Sequence, residues 1–392
     1  MNRSDYRLAA TVLRLLGWLF DRLPLDRRRV VLATARVPRL DGNLAALHTA
    51  MRARHPRRRY VLLLEPYSYG LAGKLRYFAR LIRGMYYLRT SGLFVVDNAY
   101  LPIHVAPHRP GTTVVQVWHA VGALKRFGRD ATTPLREPER RFLHRHYDYV
   151  VCSAEGSRAA WAAAFDVPWE RVLPLGSPRT DFFVDPVAMD AARRRVLAAY
   201  PTLASRRVIL HAPTFRGRGM AKQAAAGLDP ARLRTALSPD DVLVLKAHPN
   251  LAPAATDVAG YDVVIDAQFE INDLLTVTDI LITDYSSSIF EYALLRRPLI
   301  LLVPDLTAYE ADPGLYLDYG TEVIGTQVLD TDGVIEAIRT DAFDFGPYDG
   351  FIERHLGSSA GRAGEQFVER FLGPQPGTER RGGTLPRDVR HQ

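Results

Sequence analysis

Eleven short apolar runs, separated by stretches with helical periodicity, do most to limit the folds open to this 392-residue chain. Six come first: RVVLATA (29–35), YVLLLE (60–65), LFVVDN (93–98), TVVQVWH (113–119), YVVCSA (149–154) and RVLPLG (171–176). Five follow: RVILHAPTF (207–215), DVLVLKAHP (241–249), YDVVID (261–266), DILITDYSS (279–287) and RPLILLVPD (297–305). Near-continuous apolar runs suit strands covered on both faces, and strands that alternate with helices build parallel sheets. The interval 177–206, with Pro178, Pro186 and Pro201, reads as a link, so the pattern predicts two α/β domains flanking a cleft. The expected boundaries are an amphipathic basic helix over 1–27, a first domain over 28–182 and a second over 183–350. A helix over 351–372 would pack back toward the first domain, and a disordered Gly/Pro/Arg-rich tail would occupy 373–392.

Charge is unevenly spread along this frame. Residues 1–128 carry 22 Lys and Arg against 6 Asp and Glu, whereas the remainder carries 29 against 37. Two helical segments lie in the basic part, Tyr6–Leu23 and Leu71–Arg89. In the second, Leu71, Leu75, Phe78, Ile82 and Met85 fall near one face, with Lys74, Arg76, Arg80 and Arg83 around it. Such helices suit an anionic membrane surface. Nucleic acid is not indicated, since no basic-aromatic RNA motif or helix-turn-helix pattern accompanies the charge. No apolar run is long enough to span a bilayer, and Arg14 interrupts the stretch TVLRLLGWLF. The single cysteine, Cys152, excludes an internal disulfide framework and a Cys-rich zinc site, and suggests a reducing compartment.

Ligands of open α/β sheets bind beyond the carboxyl ends of the strands, where this sequence concentrates polar residues. His119 ends one run; Thr214 and Arg216 follow another; Lys246 and His248 a third; Asp284 and the serines Ser286, Ser287 and Ser288 a fourth. The serines stand where a strand hands over to a helix, whose free N–H groups and partial positive charge favour an anion. Arg216 can grip phosphate bidentately, Lys246 supplies a point charge and His248 can donate from imidazole. Together these groups suit a diphosphate. His119, from the other domain, has a pKa range suited to a general base. No metal-ligating spacing is present, and no cofactor is expected.

QVWHAVGALKRFG (116–128), LGSPRTDFF (175–183), HAPTFR (211–216), LKAHPN (245–250) and TDYSSSIFEYALLRRPLI (283–300) resemble, in order and spacing, the CDP-glycerol glycerophosphotransferases of wall teichoic acid synthesis. The resemblance spans roughly residues 28–372. It implies a GT-B type fold: two Rossmann-like domains whose parallel sheets face a central cleft, with the nucleotide donor in the second. It implies peripheral attachment at the cytoplasmic membrane face, CDP-glycerol or CDP-ribitol as donor, and an undecaprenyl-diphosphate-linked glycan as acceptor. His119 would be the catalytic base. Thr214, Arg216, His248, Ser286 and Ser287 would surround the donor diphosphate, and Glu291 would lie near the donor nucleoside. Lys125, Arg179, Lys246 and Asp284 would support them, without a metal. Ala120 stands where the family commonly has glycine, and Ala123 where proline or threonine is frequent, which bears on the acceptor. The chain lacks the long amino-terminal extension of the polymerases, favouring a single, primase-like addition.

The expected reaction is attack by an acceptor hydroxyl on the donor β-phosphate with release of CMP, His119 titrating near its ordinary value of about 6.5. A nucleotide-sugar glycosyltransferase of the same fold is the alternative.

Overall fold

The computed structural model describes residues 3–66, 70–131, 143–214, 216, 227–246, 258–265 and 269–373. All eleven apolar runs carry strands. The first six are β1 (Asp26–Thr34), β2 (Arg59–Leu64), β3 (Ser91–Val96), β4 (Thr113–Gln116), β5 (Tyr149–Val151) and β6 (Val172–Leu173), which form one parallel sheet in the order β2-β1-β3-β4-β5-β6. The next five are β7 (Arg207–His211), β8 (Asp241–Lys246), β9 (Val263–Ile265), β10 (Ile280–Thr283) and β11 (Leu299–Leu302). With β12 (Thr326–Val328) they make a second parallel sheet, ordered β12-β11-β10-β7-β8-β9. The edge strand β12 escapes a reading by apolar runs because it offers only Val328 as a large apolar residue. The predicted architecture of two parallel α/β sheets is therefore the observed one.

Strand order fixes where ligands can enter. In the first sheet the chain leaves β1 for β2 on one side and returns to β3 on the other; in the second it leaves β7 for β8 and β9, then returns to β10. Loops diverge at such switch points and open a crevice. The β1/β3 crevice is bordered by Arg36, Asp41 and Asp97, and the β7/β10 crevice by Thr214, Arg216, Asp284 and Ser286.

Several groups tie the halves together. Val121 and Leu124, from the loop after β4, are buried in the second sheet's core beside Ile289 and Phe290. Gly122 (φ 65°) sits so close that a Cβ there would lie 2.6 Å from the Phe290 ring, so only glycine fits both the backbone and the contact. Helix Ala363–Leu372 returns to the first sheet, where Phe367, Val368 and Leu372 pack with Val30, Leu32 and Leu47. Asp181 anchors its start by accepting from the N–H groups of Ala363 (3.0 Å) and Gly364 (2.8 Å). Of residues 373–392, read as a disordered tail, Gly373 caps the helix Ala363–Leu372 and the rest lie outside the described residues.

The two amino-terminal helices, Arg3–Phe20 and Gly70–Thr90, pack on each other. The apolar arc of the second is broader than its packing face. Leu81, Met85 and Leu88 are buried, whereas Leu75 and Phe78 are 66% and 37% exposed. On the first, Leu8, Leu15, Trp18 and Leu19 are all more than half exposed. Arg80, expected to flank a membrane face, bonds to the Pro66 carbonyl, and Arg83 pairs with Glu65 while its side chain stays exposed. The side chains of Leu71 and Lys74 lie outside the described residues.

Candidate active site

The two crevices open into one cavity of about 990 Å³, lined from both sheets. On the first wall the chain leaves β4 through Trp118, whose φ of 51° puts a bulky residue in the left-handed region, at a cost of order 1–3 kcal/mol. Several contacts hold it there. Its N–H donates to Gln116 Oε1 at 2.8 Å, and its ring stacks on Phe127 at 5.0 Å. The buried amide of Asn43 donates to the carbonyls of Val117 (3.2 Å) and Trp118 (3.1 Å).

This turn directs His119 into the cavity. Its Nδ1 lies 3.1 Å from the Asp97 carbonyl, which can only accept, so Nδ1 carries the proton and Nε2 is left without a partner among the described residues. Burial lowers the His119 pKa to about 4; the Arg36 charge acts the same way and the Asp97 carbonyl opposes it. The imidazole is therefore neutral at physiological pH, and the titration expected near 6.5 moves to lower pH. Asp97 itself is buried. Its carboxyl is pushed up to about 6 by burial, against a hydrogen bond with Thr34 and the charge of Arg36, 3.8 Å away.

Asp41 and Glu270, both lining the cavity, approach each other from opposite domains. Burial, then the hydrogen bond with Asp41 and its charge, push Glu270 up to about 7. Burial would raise Asp41 too, but its bond with Glu270 and the charges of Arg36, Arg179 and Arg39 outweigh that and leave it below its ordinary value.

The second wall is organised by Asp284. Its carboxylate accepts from the Thr214 N–H (2.8 Å), the Thr214 hydroxyl (2.9 Å) and Arg216 Nη1 (2.8 Å), while its carbonyl accepts from Tyr319 (2.6 Å). Arg216 also grips Asp305, Nε to Oδ2 at 2.6 Å and Nη2 to Oδ1 at 3.1 Å. Burial works against its charge, but the bonds and charges of Asp305 and Asp284 hold it protonated above its ordinary value. Arg216, expected to grip phosphate bidentately, and the Thr214 hydroxyl are thus engaged by Asp284 and Asp305 in this structure.

The three serines divide their labour. The Ser286 hydroxyl accepts from the N–H (3.2 Å) and hydroxyl (2.8 Å) of Ser288 and so closes the turn into helix Ser288–Ala293. Ser288 is buried. Ser287 lines the cavity, and its hydroxyl makes no hydrogen bond to a described residue.

One turn on, Glu291 is only 1% exposed, which rules out a surface charge; Arg179 Nε stands 2.7 Å from its Oε1, in ion contact but not in hydrogen-bond alignment. Lys246 lines the cavity and donates to the Phe269 carbonyl at 2.8 Å. Lys125 also lines it, its ammonium 5.2 Å from the centre of the Tyr309 ring. His248 lies outside the described residues. Among the described residues no cluster of three or more His, Cys, Asp or Glu is arranged for a metal, and no helix is long and apolar enough to cross a membrane.

Asp97 and Asp305 were legible by the same strand-end rule that singled out His119, since each closes an apolar run. Asn43 carried no such signal, because its partners, the carbonyls of Val117 and Trp118, the Ser177 hydroxyl and the Arg179 N–H, are all distant in sequence.

The chain matches the family described as CDP-Glycerol:Poly(glycerophosphate) glycerophosphotransferase over residues 18–373. It is 32% identical over 362 residues to the teichoic acid ribitol-phosphate primase of Bacillus spizizenii, covering 89% of this chain and 93% of that protein. With the teichoic acid glycerol-phosphate primase of Bacillus subtilis it shares 28% identity over 301 residues, 74% of this chain and 77% of that one. The teichoic acid poly(ribitol-phosphate) polymerase of Bacillus spizizenii is 32% identical over 381 residues, but the match spans 60% of that longer protein. Among solved structures, the wall teichoic acid polymerase TagF superposes with a TM-score of 0.73 at 20% identity, covering 95% of this chain and 98% of that one, a likeness of fold. The chain belongs to the CDP-glycerol:poly(glycerophosphate) glycerophosphotransferase family, a family of transferases.

Proposed function

We propose that this chain transfers a polyol phosphate, glycerol phosphate or ribitol phosphate, from its CDP-alcohol to a hydroxyl of a lipid-linked glycan and releases CMP. The observation that supports this most is a neutral His119, its Nε2 without a partner among the described residues, across one cavity from Arg216 and the Ser287 hydroxyl. A base on one wall and anion-binding groups on the other suit base-assisted attack by a hydroxyl on a diphosphate donor, and membership of a glycerophosphotransferase family favours phosphorus over carbon as the centre attacked.

The acceptor oxygen bonds to the β-phosphorus and its proton passes to His119 Nε2. The bond from the β-phosphorus to the bridging oxygen breaks, and its electron pair leaves with CMP. Arg216 and Ser287 hold the diphosphate, with Thr214, Asp284 and Ser286 shaping the wall behind them. His248 joins the donor site, and Glu291 lies on its nucleoside side. The charge needed comes from these side chains, so the step as drawn uses no resident metal. The acceptor enters from an anionic membrane at its cytoplasmic face, on which the exposed Leu8, Leu15, Trp18 and Leu19 of the first helix rest.

Purified protein incubated with CDP-glycerol or CDP-ribitol and a lipid-linked disaccharide should release CMP and add one polyol phosphate of mass to the acceptor. Release of a nucleoside diphosphate from a nucleotide sugar, with no CMP from either CDP-alcohol, would overturn the reading in favour of glycosyl transfer.

A further inference from the structure

Each arginine lining the cavity faces a carboxylate, as Arg36 faces Asp41 and Arg216 faces Asp284 and Asp305. Lys125 does not. Among the described residues its ammonium has no carboxylate at ion-pairing distance and no hydrogen bond; its neighbour is the face of Tyr309. A partly buried ammonium that meets an aromatic face but no counter-ion gives up hydration without full compensation, and a fold that tolerates it has reason to leave that charge open for a ligand.

The backbone fixes where this charge points. Lys125 belongs to the first domain but pairs antiparallel with Leu315 of the second. The N–H of Arg126 donates to Gly314 and that of Tyr316 to Leu124, each at 2.9 Å. Lys125 is thereby set into the second wall, beside Arg216 and Tyr309, whereas His119, six residues earlier, is surrounded by Arg36, Asp97 and Arg179. In-line displacement at phosphorus puts the attacking and leaving oxygens on opposite sides. A cation on the wall away from the base therefore stands on the leaving-group side.

We propose that Lys125 is a catalytic residue that takes the charge of the departing CMP phosphate. This rests on the CDP-alcohol reading above. Lys125 keeps its proton throughout: the electron pair of the broken P–O bond goes to the CMP phosphate, which gains a negative charge, and the ammonium offsets it. That charge is absent from the bound donor, so Lys125 acts on turnover and on CMP binding far more than on donor binding.

Its own titration gives a second readout. Burial lowers the ammonium pKa to about 8, with Asp284 opposing and Arg216 adding to the shift. Tyr309 of helix Leu306–Ala311 faces it, and Asp305, paired with Arg216, and Asp312, the residues flanking that helix, line the same cavity. Loss of the proton at alkaline pH removes the charge and with it the rate.

The test compares wild type with Lys125→Met and Lys125→Arg, measuring turnover of a CDP-alcohol and calorimetric binding of CMP and of the same CDP-alcohol. Lys125→Met should lower kcat about 100-fold or more, weaken CMP at least about tenfold, and leave donor affinity within about threefold. Lys125→Arg should keep part of the turnover and lose the alkaline fall of kcat/KM near pH 8. A folded Lys125→Met that keeps its kcat, or loses CMP and donor affinity equally, overturns the role. Should that variant fail to fold, an alkaline fall retained in Lys125→Arg overturns it instead. A wild-type chain that releases no CMP sinks the donor reading, and this role with it.

Discussion

The guanidinium of Arg179 donates to the backbone carbonyl of His119 at 3.2 Å. The same side chain contacts the buried Glu291 through Nε and the Asn272 amide oxygen through Nη2 at 3.2 Å, while its backbone N–H donates to Asn43. One residue from the segment between the sheets thus holds the base's turn against two helices of the donor half. Since in-line transfer needs the base and the donor phosphates in fixed register, Arg179 is a positioning residue in the proposed reaction.

Replacing it exposes both consequences. Arg179→Ala should destabilise the fold by about 3–5 kcal/mol, because Glu291 keeps a buried charge without its partner. Glu291→Gln in that background should recover stability without recovering turnover. Thermal unfolding and kcat together check this; equal recovery of both would reduce Arg179 to a purely structural part.

His119→Ala should lower turnover about 10²–10⁴-fold with little change in donor affinity. Protonated imidazole cannot accept a proton, so activity should rise with pH through the His119 titration. In the free enzyme that rise belongs near pH 4, where burial has moved the ring. A bound diphosphate brings negative charge that favours imidazolium, so the acid limb of kcat should lie at higher pH than that of kcat/KM. A kcat/KM limb remaining at pH 6.5 would mean that His119 is better hydrated than the fold indicates.

Donor binding should depend on Arg216 more than a single lost hydrogen bond suggests. Arg216→Ala leaves Asp284 and Asp305 facing the donor phosphates, so CDP-alcohol affinity should fall by at least about 1.5–3 kcal/mol. Asp305→Asn should move affinity the other way by relaxing the hold on the fork. Calorimetry on both variants decides; unchanged affinity in Arg216→Ala would remove it from the donor site.

Attachment to anionic vesicles should depend on the exposed apolar residues of the first helix. Leu15→Gln with Trp18→Gln should abolish most binding, and Arg76→Gln should weaken it in a salt-dependent way, screening acting over about 10 Å at 0.1 M. Arg80→Gln should act mainly on stability, because Arg80 bonds to the Pro66 carbonyl, whereas Arg83→Gln, at an exposed side chain whose surface ion pair adds little stability, should act on binding as Arg76→Gln does. Vesicle cosedimentation of the wild-type chain at low salt is the control; absence of binding there would end the membrane assignment.

Sequence alone determined the two parallel sheets, because a strand buried on both faces must be apolar nearly throughout and a crossover helix must separate it from the next. It also marked the rims where His119, Thr214, Arg216 and Asp284 stand, since polar residues at the ends of apolar runs have no place in a core. Periodicity identified the amphipathic helices but not which part of each apolar arc is covered: Met85 went inward and Leu75 outward according to the neighbour each met. What only the tertiary structure decided is how the site's charges are distributed among partners. That Asp305 fills the fork of Arg216, that Arg179 joins Glu291 to the turn of His119, and that Lys125 reaches the opposite wall to meet the Tyr309 ring depend on groups tens to hundreds of residues apart meeting at ångström range. Coulomb and hydrogen-bond energies change steeply over that range, and no local pattern encodes it.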